Sequence, residues 1–551
     1  QAMAHAAIAY GKAHFRRRMM ACTTSIGPGA TNLLTAAALA HVNRLPVLFL
    51  PGDTFVSRAP DPVLQQVENF EDGTITANDC FRPVSRFFDR IVHPAQLLTA
   101  LPQAVQVLTD PAMCGPVTLA LPQDAQTFAW DYPTAFFAPA RVVWRTPAPE
   151  DAELHAAVTV LRNAKRPLLV VGGGVLYGLA TAALRQFAQL HGIPVAETQA
   201  GKGSLPWDHP LQTGAIGVTG SPAANALAAD ADVVLAVGTR LSDFTTGSHS
   251  LFAQARLINL NVNAFDARKW RGLELIADAG AGLNALSTAL PQWRADTRWT
   301  QRAHAAADGW RADIARITAR REVSLPYDGD VIGAVQRSAA DSARDDIVVC
   351  AAGTLPAELH KLWRTSTPGG YHMEYGFSCM GYEIAGGLGV KMAQPDRDVI
   401  VMVGDGSYLM LNAEIATSVM LNRKLIIVVL DNRGYGCINR LQQACGGAPF
   451  NNLFADCVQG PDGAPAIDFA AHARSLGALA ENVADIPALE AALQRARAAP
   501  RTSVICIETD PAQTTPEGGC WWEVAVPEVS TRDQVKQARA AYDLDKRKQT
   551  P

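Results

Sequence analysis

Eight runs of five or six residues, apolar on both faces that a strand would present, limit what this chain can fold into more than anything else in its sequence. They are PVLFL (46–50), PVTLAL (116–121), PLLVV (167–171), DVVLAV (232–237), IVVCAA (347–352), VIVMV (399–403), LIIVVL (425–430) and SVICIE (503–508). A strand without a polar face has to be covered on both sides, which a parallel sheet achieves with helices above and below. Helical patterns do lie between the runs, at 30–41, 151–164, 179–191, 379–393, 410–421 and 487–498. The alternation predicts an α/β protein built of doubly wound parallel sheets. At 551 residues the chain exceeds what one core supports, so more than one such sheet is expected.

The boundaries follow from breaks in the pattern. Residues 130–150, WDYPTAFFAPARVVWRTPAPE, are rich in proline and aromatics without a sustained period, and 131–150 reads as a linker. A polar, charged helical stretch near 295–325 ends at Leu325-Pro326. Three α/β units are expected, at 1–130, 151–320 and 327–525, followed by a charged tail at 526–551. No short repeat suggests a solenoid.

Composition excludes several classes. Apolar residues make up 48% and charged ones 18%, with a net charge of −4, so there is no electrostatic footprint for nucleic acid. The densest basic spot, Arg16, Arg17 and Arg18, reads as a solvated helix end. No apolar run reaches the roughly 18 residues of a membrane span, and the first residues carry no secretory-signal pattern. The ten cysteines are scattered singly, with no CxxC pair and no zinc-site spacing, which points to a reducing cytoplasm. In the middle unit GGGVLYG (172–178) fails the dinucleotide fingerprint, since Tyr177 stands where the third glycine belongs. RLINLNVN likewise ends in Asn261 and Asn263 rather than in a ribose-binding acid. AGKGS (200–204) lacks the upstream glycine of a phosphate-binding loop.

One acidic residue stands out. Asp405 lies between Gly404 and Gly406 directly after VIVMV, at a strand end where open parallel sheets gather their ligands. A buried carboxylate there needs a cation or a partner. The glycines allow a sharp turn and close approach, and a helix opening soon after Ser407 would offer N–H groups to an anion. After one further helix and the strand KLIIVVL comes DNRGYG (431–436), so Asp405 and Asn432 belong at the same end of two strands. A carboxylate, an amide oxygen and the Gly434 carbonyl are hard oxygen donors of the kind Mg²⁺ accepts. Mg²⁺ completes its octahedron with phosphate oxygens and water, which implies a phosphorylated cofactor. A turn explains GDG alone equally well; the pair at this spacing is the stronger signal.

GDGSY and LDN together resemble the thiamine-diphosphate motif of the acetolactate synthase and pyruvate decarboxylase superfamily. GPGATN (27–32), GPVTLALPQD (115–124) and KGSLPWDHPLQTGAIGVTG (202–220) are similar to the same family. The resemblance spans essentially the whole chain, in the order pyrimidine-binding, central and diphosphate-binding domain. CTTSIGPGATN with its Ile26, PDPVLQQVE (60–68), NDCFRPVSRFFDRI (78–91), YHMEYGFSCMGYE (371–383) and WWEVAVPEVS (521–530) resemble one branch, the trihydroxycyclohexanedione hydrolases of myo-inositol breakdown.

The resemblance implies thiamine diphosphate and Mg²⁺ as cofactors, with Asp405, Asn432 and the Gly434 carbonyl as metal ligands. Gly353, Thr354 and Ser407, through its backbone and hydroxyl, are expected at the diphosphate. Met380 is expected to prop the cofactor in a bent shape, although on its own it reads as helix core. The Ser378 carbonyl would accept from the aminopyrimidine, and Gly404, Gly406 and Tyr435 complete the cofactor-binding set. Asp53, in LPGDT, takes the place of a glutamine of acetolactate synthases, and two roles stay open: a bond to a polyol substrate and a turn cap. His5 falls at a family-like position, yet a lone histidine on a helix reads as structural.

The superfamily activates its cofactor with a glutamate directly before the Gln of a Glu-Gln-x-x-x-His segment. Here that Gln is Gln1, so the glutamate is expected just ahead of the first residue, no other acid replaces it, and the sequence is expected to be an N-terminally incomplete record. The implied activity is ring opening of a trihydroxycyclohexane-1,2-dione by hydrolytic C–C cleavage, giving 5-deoxyglucuronate. The alternatives are an acetolactate synthase-like carboligase and a cofactor-binding protein without activity. The expected partners are a small cyclic diketone and further copies of the chain, as a homodimer or homotetramer with the active site between subunits; nucleic acid and membrane are not expected.

Overall fold

The computed structural model describes residues 1–339, 345–457 and 466–549. Among these the α/β expectation holds: three sheets form, and every strand pair in them is parallel. The first has four strands, β1 (Ala21–Thr24), β2 (Val47–Asp53), β3 (Phe87–Arg90) and β4 (Pro116–Pro122), in the order β1-β2-β4-β3. The second has six: β5 (Pro167–Val171), β6 (Val195–Glu197), β7 (Gln212–Ala215), β8 (Val233–Val237), β9 (Arg256–Asn261) and β10 (Leu273–Ile276), ordered β10-β9-β8-β5-β6-β7. The third comprises β11 (Ile347–Cys350), β12 (Tyr371–Met373), β13 (Val399–Gly404), β14 (Ile426–Asp431), β15 (Leu479–Val483) and β16 (Ser503–Glu508), ordered β12-β11-β13-β14-β16-β15.

The chain divides into two compact units, one of Gln1–Arg145 with Ala385–Pro395, the other of Thr146–Ile384 with Asp396–Pro551. The first sheet lies in the former, the second and third in the latter. In the linker the only regular element among the described residues is a short 3₁₀ turn, Thr134–Phe137. The charged tail contains a helix, Asp533–Lys546. Glu523 pins it, accepting from the Tyr542 hydroxyl at 2.6 Å, from Gln549 Nε2 at 2.7 Å and from Lys546. Residues 550 and 551 of that tail lie outside the described residues.

The third sheet shows why its strands are apolar throughout. Ile400, Met402, Ile426, Val428, Ile505 and Ile507 share one core with Ile486, Leu489 and Leu493 of the helix Ile486–Ala498. On the alternate positions Val401, Val403, Ile427, Val429 and Val504 are equally buried. Each such side chain contributes about 1.5–3 kcal/mol when removed from water. Strand order reverses between β11 and β13, and the crevice past their carboxyl ends is where a doubly wound sheet binds its ligand.

The helical period placed at 410–421 is divided differently. A helix starts at Asp405 itself and runs to Met410, earlier than the opening after Ser407 that the glycines suggested, and a second spans Glu414–Met420. In the second sheet the GGGVLYG glycines serve packing: a Cβ on Gly174 would stand 2.6 Å from the Gly238 Cα, and one on Gly172 2.6 Å from the Gly238 carbonyl oxygen.

Candidate cofactor and metal site

Register positions the candidate ligands. Gly404 pairs with Leu430, so Asp405, the first residue past β13, lies next to Asp431, the last of β14. Asp405 is 2% exposed, and its Oδ2 accepts from the Gly434 N–H at 2.8 Å. Burial, and then the Asp431 carboxylate, push the Asp405 pKa up to about 7 against the N–H bonds from Gly406 and Gly434. Burial raises Asp431 too, although its Oδ1 accepts from the Arg433 N–H at 3.0 Å. Two buried carboxyl groups held above their ordinary range mark a place short of positive charge.

Asn432 follows directly, and its Oδ1 is buried with no hydrogen-bond partner. An amide oxygen in that state costs on the order of 1–3 kcal/mol unless something accepts its lone pairs. The Asn432 loop is held from outside: Tyr435 N–H donates to the Asn452 carbonyl at 2.7 Å, and Phe454 N–H to that of Arg433 at 3.0 Å. Gly434 sits at φ +144°, and a Cβ there would stand 2.4 Å from the Asn452 carbonyl oxygen, so the loop requires glycine. Among the described residues no three His, Cys, Asp or Glu side chains gather as a metal site. The donor set here instead relies on one carboxylate with amide and backbone oxygens. Those donors, the orphaned Asn432 oxygen above all, fit a small hard dication such as Mg²⁺.

The remaining expected residues line the same sheet edge. Gly353, after β11, has φ +95°, and a Cβ on it or on Gly404 would meet nothing within 4 Å, so both leave open space over the strand ends. Thr354 Oγ1 accepts from the Arg440 guanidinium, which also donates to the Pro511 carbonyl. Gly406 is hemmed by Tyr435, whose ring would lie 2.6 Å from an added Cβ, and by the Met380 methyl at 3.6 Å. Ser378 is exposed in a left-handed conformation, φ +55°. The buried Glu374 carboxylate holds that turn, accepting from Phe377 N–H at 2.9 Å and Cys379 N–H at 2.8 Å. The Ser407 hydroxyl donates to Glu383 Oε2 at 2.7 Å and accepts from the Gly381 N–H at 2.8 Å, which commits it within the protein.

Asp53, and the histidine read as structural, belong to the other unit. Asp53 ends β2 fully buried, with Oδ2 on Arg90 Nε at 2.7 Å and Oδ1 on its neighbour Thr54 N–H at 2.8 Å. Arg90 continues to Thr76 Oγ1 and Asp79 Oδ2, both at 2.9 Å. His5 is fully buried, its Nε2 3.2 Å from Gln1 Nε2, and burial lowers its pKa to about 3.

Reading the sequence missed Asp431, Arg440, Glu374 and Glu383. The signal for Glu383 was present, an acid inside the apolar stretch CMGYEIAGGLG, the same anomaly that singled out Asp405.

Comparison with known proteins places the chain in a family. Residues 1–72 match the profile of the thiamine pyrophosphate enzyme N-terminal TPP binding domain, 154–286 the central domain and 351–507 the C-terminal TPP binding domain. A 3D-(3,5/4)-trihydroxycyclohexane-1,2-dione hydrolase of Geobacillus thermodenitrificans (strain NG80-2) is 43% identical over 569 residues, covering 98% of this chain and 88% of the relative. Proteins of the same name from Bacillus cereus (strain AH820) and Bacillus thuringiensis (strain Al Hakam) are 42% and 41% identical over 570 residues, with the same coverage. With three domain profiles matched in order and relatives alike across almost its whole length, this chain belongs to the thiamine pyrophosphate enzyme family.

Proposed function

We propose that this chain is a thiamine-diphosphate- and Mg²⁺-dependent hydrolase that cleaves the C–C bond between the two adjacent carbonyls of 3D-(3,5/4)-trihydroxycyclohexane-1,2-dione. One water is consumed and the ring opens, leaving a carboxylate at one end and an aldehyde at the other, the product being 5-deoxyglucuronate. The observation that carries this reading is the identity of 41–43% over 98% of the chain to proteins named for that substrate.

Bound thiamine diphosphate supplies the electron sink that such a C–C cleavage needs. The chain's own residues hold and orient. Asp405, Asn432 and the Gly434 carbonyl would hold Mg²⁺, whose charge reverses the local excess of carboxylate. Gly353 and Gly404 leave the diphosphate room at the switch point, with Thr354 and Arg440 beside it. Met380, Gly406 and Tyr435 would give the cofactor an apolar support, and the Ser378 carbonyl would accept from its aminopyrimidine. Within the first unit Asp53 clamps Arg90. The family resemblance supports a homodimer or homotetramer with the active site between subunits. A cytoplasmic setting suits ten free thiols, and among the described residues no helix is long and apolar enough to cross a membrane.

The test is direct incubation of the purified protein with the dione, thiamine diphosphate and Mg²⁺. Loss of the diketone with one equivalent of acid per turnover, abolished by EDTA, is the expected result. Consumption of pyruvate without ring opening would assign a carboligase instead, and tight cofactor binding with neither turnover would leave a binding protein.

A further inference from the structure

Three separate segments carry the residues assigned to the cofactor: 352–354 after β11, the turn 378–381, and 404–407 at the end of β13. Strand pairing ties none of the three to another: β11 pairs with β13 only over Ile347–Val349, and Gly404, at the end of β13, pairs with Leu430 of β14. One side chain reaches all of them. Glu383, in the first turn of the helix Tyr382–Ala393, is 1% exposed. Its Oε2 accepts from the Ser407 hydroxyl at 2.7 Å and the Gly381 N–H at 3.1 Å, and its Oε1 from the Ala352 N–H at 3.4 Å.

Local needs do not account for a carboxylate here. The Gly381 N–H already has an acceptor in Ser407 Oγ at 2.8 Å, and the Ala352 bond is long. The surrounding helix, YEIAGGLGVKMA, is otherwise mostly small and aliphatic, and a buried acid without a cation is costly where an apolar residue would pack. What the carboxylate alone does is join the three segments at one point, with the Ser407 hydroxyl as the bridge.

We infer that Glu383 is a positioning residue that sets the diphosphate-bearing segments 352–354 and 404–407 against the turn bearing Ser378 and Met380. The inference rests on thiamine diphosphate binding at this sheet edge. Glu383 touches neither substrate nor cofactor in this account; it acts through Ser407, Gly381 and Ala352.

The consequence is specific. A ligand that spans both ends of the site depends on the junction, whereas one that occupies only the diphosphate end depends on it far less. The experiment measures calorimetric affinities for thiamine diphosphate and for inorganic pyrophosphate, both with saturating Mg²⁺, together with the melting temperature of the cofactor-free protein. Wild type is compared with Glu383→Gln, Ser407→Ala and the double variant. Glu383→Gln is expected to weaken thiamine diphosphate about tenfold or more while pyrophosphate changes by less than about threefold. Ser407→Ala is expected to reproduce the pattern, and the double variant to add little, since both act through one junction.

Equal weakening of both ligands would overturn the inference. So would unchanged affinities with a lowered melting temperature, the mark of a merely structural carboxylate. Should Glu383→Gln fail to fold, Ser407→Ala alone decides by the same comparison of the two ligands. A wild-type protein that binds pyrophosphate but not thiamine diphosphate would sink the cofactor assignment itself, a result distinct from any variant's.

Discussion

Asp405 and Asn432 are each arranged at a cost that a cation would offset: one carboxyl is buried beside another, and one amide oxygen is buried without a donor. Replacing Asp405 by asparagine removes the charge and keeps the shape. The metal-free Asp405→Asn protein is therefore expected to melt no lower than wild type, while its affinity for thiamine diphosphate with Mg²⁺ falls at least about a hundredfold. Paired melting curves and calorimetric titrations check both halves. At Gly434 the demand is steric, since an added Cβ would meet a backbone oxygen at 2.4 Å with φ at +144°. Gly434→Ala is expected to destabilise by about 2–4 kcal/mol in denaturant titration and to weaken Mg²⁺-dependent cofactor binding. Asp405 was legible in the sequence because a charge ending an apolar strand begs for a partner, and Asn432 because one αβ unit separates the two. Glu383 posed the same anomaly and stayed hidden, since its partners are two backbone N–H groups and a hydroxyl that no residue spacing announces.

Elements were legible where burial on both faces wrote itself into composition. PLLVV and SVICIE are strands over the residues read from the sequence, and the remaining six runs differ only at their ends. Strands such as β1 (ACTT), β3 (FFDR) and β15 (LAENV) were missed, because they lie at or next to a sheet edge with polar residues among the apolar ones. Their neighbours' pairing holds them, and local pattern does not reveal it. A second element-level device is His360, on the helix Leu355–Leu362. It is buried, with Nδ1 2.8 Å from the Thr219 hydroxyl and Nε2 3.0 Å from the Glu197 carbonyl. The carbonyl can only accept, so Nε2 carries the proton and Nδ1 takes the Thr219 hydrogen. Burial, reinforced by the Lys202 charge, lowers its pKa to about 3 from 6.5. Between those values the unfolded chain binds the proton and the folded one does not, so stability falls as pH drops below 6.5. His360→Gln is expected to make the acid limb of stability against pH shallower, by up to about 1.4 kcal/mol per pH unit. Denaturant titrations at pH 7, 6 and 5 measure that slope.

At the scale of the molecule, three parallel sheets follow from three sets of apolar runs. The assignment of Ala385–Pro395 to the same compact unit as Gln1–Arg145 could not be read from the sequence, because long-range packing decides it. The helix carrying Glu383 at its start thus contributes its later residues to the other unit. Ligand linkage acts at this scale too. Thiamine diphosphate with Mg²⁺ at a hundred times its Kd stabilises by about 2.7 kcal/mol, which for a chain of this size raises Tm by about 2–3 °C. Scanning calorimetry with and without EDTA checks it, and the rise is expected to vanish with the metal.

The hydrolytic ring opening is tested most directly by isotope. Turnover of the trihydroxycyclohexane-1,2-dione by the Mg²⁺-thiamine-diphosphate enzyme in H₂¹⁸O and D₂O, read by mass spectrometry and NMR, follows where the water goes. The account predicts at least one ¹⁸O in the new carboxylate and one solvent hydrogen, non-exchangeable, on the new aldehyde carbon for each ring opened. A dione left with its ring intact while added pyruvate is decarboxylated would contradict it.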